Sequence, residues 1–261
     1  MMAIKLARPD SGIEAPSLRS RILSYRSRLA EVLLPRTCSF CGTSLAAEAL
    51  FFSERAEVSR FSPLCVACEA ALETIREPRC RLCGKGLISE EGLCMRCRKS
   101  SWSFDEVYPL FAYAGKAAGL VASWKFGGRR SIASFFAEKA APIIAKRWPG
   151  RTLVPVPPRP GKLRERGYDQ VEDLVAALGG SGFLVARPLA RGLGGQQKRL
   201  DISGRMDNAT RSYSLRPRAN VPALIVLVDD VVTTGATAEA CAAALRSGGA
   251  SRVAVFAIAA D

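Results

Sequence analysis

The sequence predicts an α/β protein built on a parallel sheet and preceded by a small cysteine module that holds metal. Three observations predict it. An apolar run, Ile225 to Val228, leads into adjacent carboxylates, Asp229 and Asp230, and then into a hydroxyl- and glycine-rich turn, Thr233-Thr234-Gly235-Ala236-Thr237. From Trp102 onward, short β-branched runs alternate with helical stretches, as in parallel strands joined by crossover helices. Upstream, eight of the nine cysteines fall into four C-x-x-C pairs.

At 261 residues the chain has room for one ordinary α/β domain and something smaller. Its 48% apolar content supports a real core. Lys and Arg outnumber Asp and Glu by 38 to 24, a formal charge of +14 that favours polyanionic partners. Two four-thiolate zinc sites, each carrying a net −2, leave roughly +10. The sequence has no histidine, which excludes histidine general bases, histidine-containing metal sites and nucleophile–histidine pairs. Nothing resembles a transmembrane span, and the start lacks the continuous apolar core of a secretory signal, so the expected location is cytoplasmic.

Taken in order, residues 1–34 are expected to form a disordered start and an amphipathic helix. Leu18, Ile22, Leu29, Val32 and Leu33 share one face of that helix, with most of its arginines elsewhere. Docking on the protein's own next module is its simplest role; an anionic membrane surface or a partner are the others. Residues 35–100 hold Cys38-x-x-Cys41-Gly42 with Cys65-x-x-Cys68, then Cys80-x-x-Cys83-Gly84 with Cys94-x-x-Cys97. The two halves repeat one unit and together read as a double zinc ribbon, because a C-x-x-C turn aims two thiolates at one metal and two such turns complete a tetrahedron. Iron–sulfur ligation and redox pairs are the competing fillings. Pairing within each half is favoured, and an interleaved arrangement stays open. Cys241, the ninth cysteine, reads as core.

Residues 101–261 form the α/β part. Strands are expected at Val107–Tyr113, Thr152–Val156 and Phe183–Pro188, with helices at Lys116–Lys125, Ser131–Arg147 and Asp169–Leu178. Between Pro158 and Asp169 a strongly basic loop carries Arg159, Lys162, Arg164 and Arg166, placed by the preceding strand end to meet phosphate. The signature strand places Asp229 and Asp230 at its carboxyl end, the edge where open α/β sheets bind ligands. Thr233 to Thr237 then combine hydroxyls, a permissive Gly and the unpaired N–H groups of a helix start into an anion cradle.

IVLVDDVVTTGAT resembles the phosphoribosyl-pyrophosphate (PRPP) signature of type I phosphoribosyltransferases. The resemblance implies that Asp229 and Asp230, as the catalytic pair, hold the ribose hydroxyls. It also implies that Thr233, Thr234, Gly235, Ala236 and Thr237 wrap the 5′-phosphate and that Mg²⁺ accompanies PRPP. With the cysteine module, VPVPPRPGKLRERGYDQ and QQKRLDISGRMDN, the chain is similar to the ComF family, a double zinc ribbon joined to a phosphoribosyltransferase domain. By that resemblance Pro155, Arg166, Gly167, Tyr168 and Gln170 lie on the pyrophosphate side. Gln197, Arg199 and Leu200 match a second polar segment, and Arg205 and Asn208 fall in a mobile loop. Enzymes acting on 6-oxopurines place an Asp where this chain has Thr233, so the nucleobase stays open.

The resemblance implies an accessory in DNA uptake that binds PRPP or a related sugar phosphate and single-stranded DNA beside membrane-associated uptake machinery. The alternative is an active phosphoribosyltransferase with an unknown acceptor. For DNA, Arg129, Arg130 and the basic loop are expected to follow a backbone, with Trp102, Trp124 and Phe126 as stacking candidates.

Overall fold

The computed structural model describes residues 36–45, 62–192 and 212–261. The expected start of residues 1–34, and Gln197, Arg199, Leu200, Arg205 and Asn208, lie outside them. Two one-turn helices, α1 (Val66–Ala70) and α2 (Met95–Arg98), begin directly after Cys65 and Cys94. In chain order follow β1 (Glu106–Ala112), α3 (Gly115–Phe126), α4 (Ile132–Arg147), β2 (Thr152–Pro155), α5 (Pro160–Arg166), α6 (Gln170–Gly180), β3 (Leu189–Arg191), β4 (Tyr213–Leu215), β5 (Leu224–Val232), α7 (Ala236–Ser247) and β6 (Arg252–Ala260).

Four strands form one parallel sheet in the order β1-β6-β5-β2. The two central strands are apolar on both faces, as a sheet covered on both sides requires. On one face lie α3, α4 and α6. Val171, Leu174, Val175 and Leu178 make the inward stripe of α6, spaced at helical intervals. On the other lies α7, whose Ala238, Cys241, Ala242 and Leu245 pack on Ile225, Leu227 and Val255 together with the antiparallel pair β3–β4. Cys241 is fully buried there, as the sequence indicates.

Two sequence expectations change. The basic stretch after Pro158 is helix α5 and not a loop: Pro160 stands in its first turn and Gly167, in the left-handed region, ends it. Phe183–Pro188 forms no strand. It flanks β2 through a single bridge, Val185 to Leu153, and Pro188 brings no N–H to continue the ladder.

The outer edge of β1 meets the cysteine module. Val107 N–H donates to the Leu82 carbonyl at 2.7 Å, Ala112 N–H to the Glu73 carbonyl at 3.0 Å, and Arg79 reaches the Pro109 carbonyl at 2.9 Å. No helix among the described residues is long and apolar enough to cross a membrane.

Candidate functional site

β5 runs past the two carboxylates to Val232, so Asp229 and Asp230 do not end the strand. Their extension is paired on one side only: Val231 and Val232 match Ala259 and Ala260 of the equally long β6, whereas β2 stops at Pro155, opposite Val228. Pro157 and Pro158 then carry the chain away. The carboxylates thus project beyond the carboxyl end of β2, and the sequence placed them at the right edge of the sheet.

Successive strand residues face opposite sides, and this separates the pair. Asp229 lies on the α7 side, only 8% exposed, and lines one pocket with Val231 and the turn Thr233 to Thr237. Its Oδ1 accepts the Asp230 N–H at 2.8 Å. Burial first, and the Asp230 charge second, push its carboxyl up to about 7. Asp230 lies on the opposite side, where Lys125 Nζ stands 2.8 Å from Oδ1 and Gln170 Nε2 donates to Oδ2 at 2.5 Å.

The turn opens α7 with Gly235 at the cap position, φ +78. That conformation is open to glycine and strained for other residues. A glycine cap also brings no side-chain acceptor, so apart from a 3.4 Å contact between Ala236 N–H and Thr234 Oγ1 the first-turn N–H groups remain available to an anion.

Of the basic residues on α5, the structure brings Arg166 to the carboxylates. Its Nη1 donates to Gln170 Oε1 at 3.1 Å, which links it to Asp230, and its Nε is buried without a hydrogen-bond partner among the described residues. Arg159, Lys162 and Arg164 stand exposed, with Lys162 paired to Glu165 at 2.7 Å. Asp169 caps α6 through the Val171 and Glu172 N–H groups, and burial pushes its carboxyl up to about 6.

The cysteines form two groups, Cys38, Cys41, Cys65, Cys68 and Cys80, Cys83, Cys94, Cys97, with all sulfurs of a group within 4.8 Å. Pairing is therefore sequential. The Cys41–Cys65 and Cys83–Cys94 sulfurs are both 3.7 Å apart, and a tetrahedron with arms of about 2.3 Å has edges of about 3.8 Å. Backbone N–H groups of Cys68 and Cys94 point at the Cys65 and Cys80 sulfurs, each at 3.4 Å. Four thiolates around one point fit a closed, structural Zn²⁺.

A family described as Double zinc ribbon domain matches residues 29–98. Two curated relatives are both named Competence protein ComFC. That of Streptococcus pneumoniae (strain ATCC BAA-255 / R6) is 26% identical, covering 85% of this chain and 98% of its own length. That of Bacillus subtilis (strain 168) is 25% identical, covering 74% and 82%. These matches support the resemblance to the ComF family. The chain's cysteine module is the double zinc ribbon, and its α/β part is built on the four-stranded parallel sheet. Solved structures similar to it include a hypoxanthine phosphoribosyltransferase of Staphylococcus aureus, 8% identical with TM-score 0.32 over 49% of this chain and 62% of that one. Another is an allosteric regulatory enzyme of purine biosynthesis, 15% identical with TM-score 0.34 over 53% and 30%.

Three residues at this candidate site escaped the reading of the sequence. Lys125 stands in the last turn of α3, and only its place just before the Gly127-Gly128 break marks it. Arg191 donates to the Tyr213 hydroxyl at 2.5 Å on the Asp229 side. Arg96 reaches the turn from the second ribbon, donating to the Thr234 carbonyl. Among the stacking candidates, Trp124 is wholly buried and Trp102 stacks on Phe104 at 5.0 Å, whereas Phe126 is 67% exposed beneath Arg166.

Proposed function

We propose that this protein binds PRPP, or a related sugar phosphate, with Mg²⁺, and that it does so as an accessory in handling single-stranded DNA during competence. The observation that carries the first half is one pocket lined by both the Asp229 carboxyl and the Thr233–Thr237 cradle. A carboxylate accepts from sugar hydroxyls, and N–H groups at a helix start donate to phosphate. Arg166, with its unpaired buried Nε, and Lys125 would face the pyrophosphate side. The Asp229 carboxylate beside the cradle offers the hard oxygen that suits Mg²⁺, which when bound would neutralise pyrophosphate charge. The names of the two curated relatives, the formal charge of +14 and the exposed Arg129, Arg159, Lys162 and Arg164 support the DNA half.

A second reading, transfer of phosphoribosyl to an unknown acceptor, draws on one feature. Asp229, pushed up to about 7, can exchange a proton near neutral pH.

Calorimetry with PRPP and Mg²⁺ tests the binding site. Asp229→Asn with Asp230→Asn is expected to abolish binding, and unchanged affinity would remove the sugar-holding role. Binding that needs Asp229 ionised releases its proton. Affinity should therefore be level above about pH 7 and fall roughly tenfold per pH unit below it. A flat profile would show that Asp229 does not meet the ligand as a carboxylate. Pyrophosphate release over a panel of bases separates transferase from accessory.

A further inference from the structure

Arg96 lies between Cys94 and Cys97, two ligands of the second zinc centre, on the one-turn helix α2. Its guanidinium leaves the ribbon: Nη2 donates to the Thr234 carbonyl in the cradle. Its Cζ sits 5.3 Å above the Trp102 ring. Trp102 is in turn the neighbour of Gly235, where an added Cβ would stand 3.5 Å from the indole. The next residue is fixed to α7, because the Ser103 N–H and Oγ both donate to the Glu239 carboxylate at 2.7 Å. Residues of the second ribbon and of the cradle, Cys83, Lys85, Arg96, Thr233, Thr234 and Gly235, line a common groove.

The direction of one carbonyl matters here. A trans peptide points its C=O and the following N–H in opposite directions. A loop that holds an anion through N–H groups must keep its carbonyls turned outward, since a carbonyl oxygen facing a phosphate repels it. Holding the Thr234 carbonyl toward the second ribbon turns the Gly235 N–H away from the ribbon, as the cradle requires.

We infer that Arg96 is a positioning residue for the cradle, through which the zinc-bound knuckle of the second ribbon sets the cradle's affinity for a phosphate. The inference rests on the sugar-phosphate reading above. It adds that the ribbon is a working part of that site: the knuckle fixes where Arg96 starts, and Arg96 fixes which way the Thr234–Gly235 peptide faces.

The test compares the full-length protein with Arg96→Met, Arg96→Ala and Arg96→Lys. Met and Ala remove the donor with and without the aliphatic stem, so a packing defect in one of them does not decide the result. Each protein is assayed for zinc and titrated with PRPP and Mg²⁺ at low and high salt. Met and Ala variants are expected to keep two zinc ions and to bind about tenfold more weakly at both salts. Peptide orientation, unlike a surface charge, is not screened. Lys should restore most of the affinity, because an ammonium can also donate to the carbonyl. Coupling is reciprocal, so saturating PRPP should slow zinc release to a chromogenic chelator in the wild type and not in Arg96→Met. Wild-type affinity in both donor-free variants, or a deficit that vanishes at high salt, overturns the inference and leaves the PRPP site standing. A wild type that binds no PRPP overturns the reading beneath it as well.

Discussion

In the first ribbon, Cys38, Cys65 and Cys68 belong to the same apolar cluster as Leu120, Phe135 and Ile258 of the α/β part. In the second, Cys80, Cys94 and Cys97 form a cluster of their own with Leu87. Side chains repeat the contrast. Around the first ribbon, Lys139 pairs with Glu69 at 2.5 Å and Lys116 Nζ points at the Cys68 sulfur at 3.8 Å. The second instead extends Arg96 onto the candidate site. Even the glycine after the leading knuckle differs. Gly42 and Gly84 share a positive φ, but a Cβ on Gly42 meets nothing, whereas one on Gly84 stands 2.3 Å from the Pro109 side chain. One repeated unit therefore does two jobs, decided by what it packs against. Asp229 and Asp230, and the arginines of α5, divide in the same way.

The largest expected effect separates the ribbons. Cys65→Ser should lower the stability of the whole protein by about 4 kcal/mol or more, as loss of a metal within a main core does. Cys80→Ser should cost one zinc ion and shift the main thermal transition by no more than about 1 kcal/mol. Zinc analysis with calorimetric melting decides, and equal shifts would break the comparison.

Next come the single carboxylate variants, expected to have opposite signs. A carboxyl held near 7 in the fold and near 4 unfolded contributes stability that is present below pH 4 and lost as pH rises through 7. Asn at position 229 does not ionise and keeps the acceptor for the Asp230 N–H. Asp229→Asn should therefore match the wild type at low pH and exceed it at pH 8, by up to about 4 kcal/mol at 1.4 kcal/mol per pKa unit. Asp230→Asn should instead destabilise by about 1 to 2 kcal/mol, because it leaves the half-buried Lys125 without its anion. Melting both variants across pH checks the signs.

The smallest effect concerns DNA. Arg164 is exposed and is expected to meet phosphate directly, so Arg164→Glu should reduce the slope of log affinity against log salt for single strands by about 0.7. Arg166 lies over Phe126 and bonds to Gln170, so Arg166→Glu should also weaken PRPP. Equal consequences for the two variants would make α5 a uniform basic surface.

Local chemistry made the zinc ligands, the strand of Asp229 and Asp230 and the helix after the turn legible, since each is written in a continuous run of residues. What distant segments decide was not legible. β5 outlasts β2 because β6 is long enough to pair with Val231 and Val232. Sequence adjacency suggested that Asp229 and Asp230 act together, yet strand alternation sends them to opposite faces. Lys125, Arg191 and Arg96 reach the site from elements far away in the chain. For α5, dense charge between Pro and Gly read as loop, although the same Pro and Gly are a start and a stop for a two-turn helix.

The bonds from Leu82 and Glu73 to β1 have a further consequence. β1 is an outer strand, and an outer strand with free N–H and C=O groups is a template for another chain. Here Pro109 removes one donor, and zinc-held loops occupy several of the other groups. Zinc in the second ribbon is thereby expected to guard against aggregation: a chain lacking that metal alone would release the Leu82 contact and open part of the β1 edge while the core around the first ribbon stayed packed.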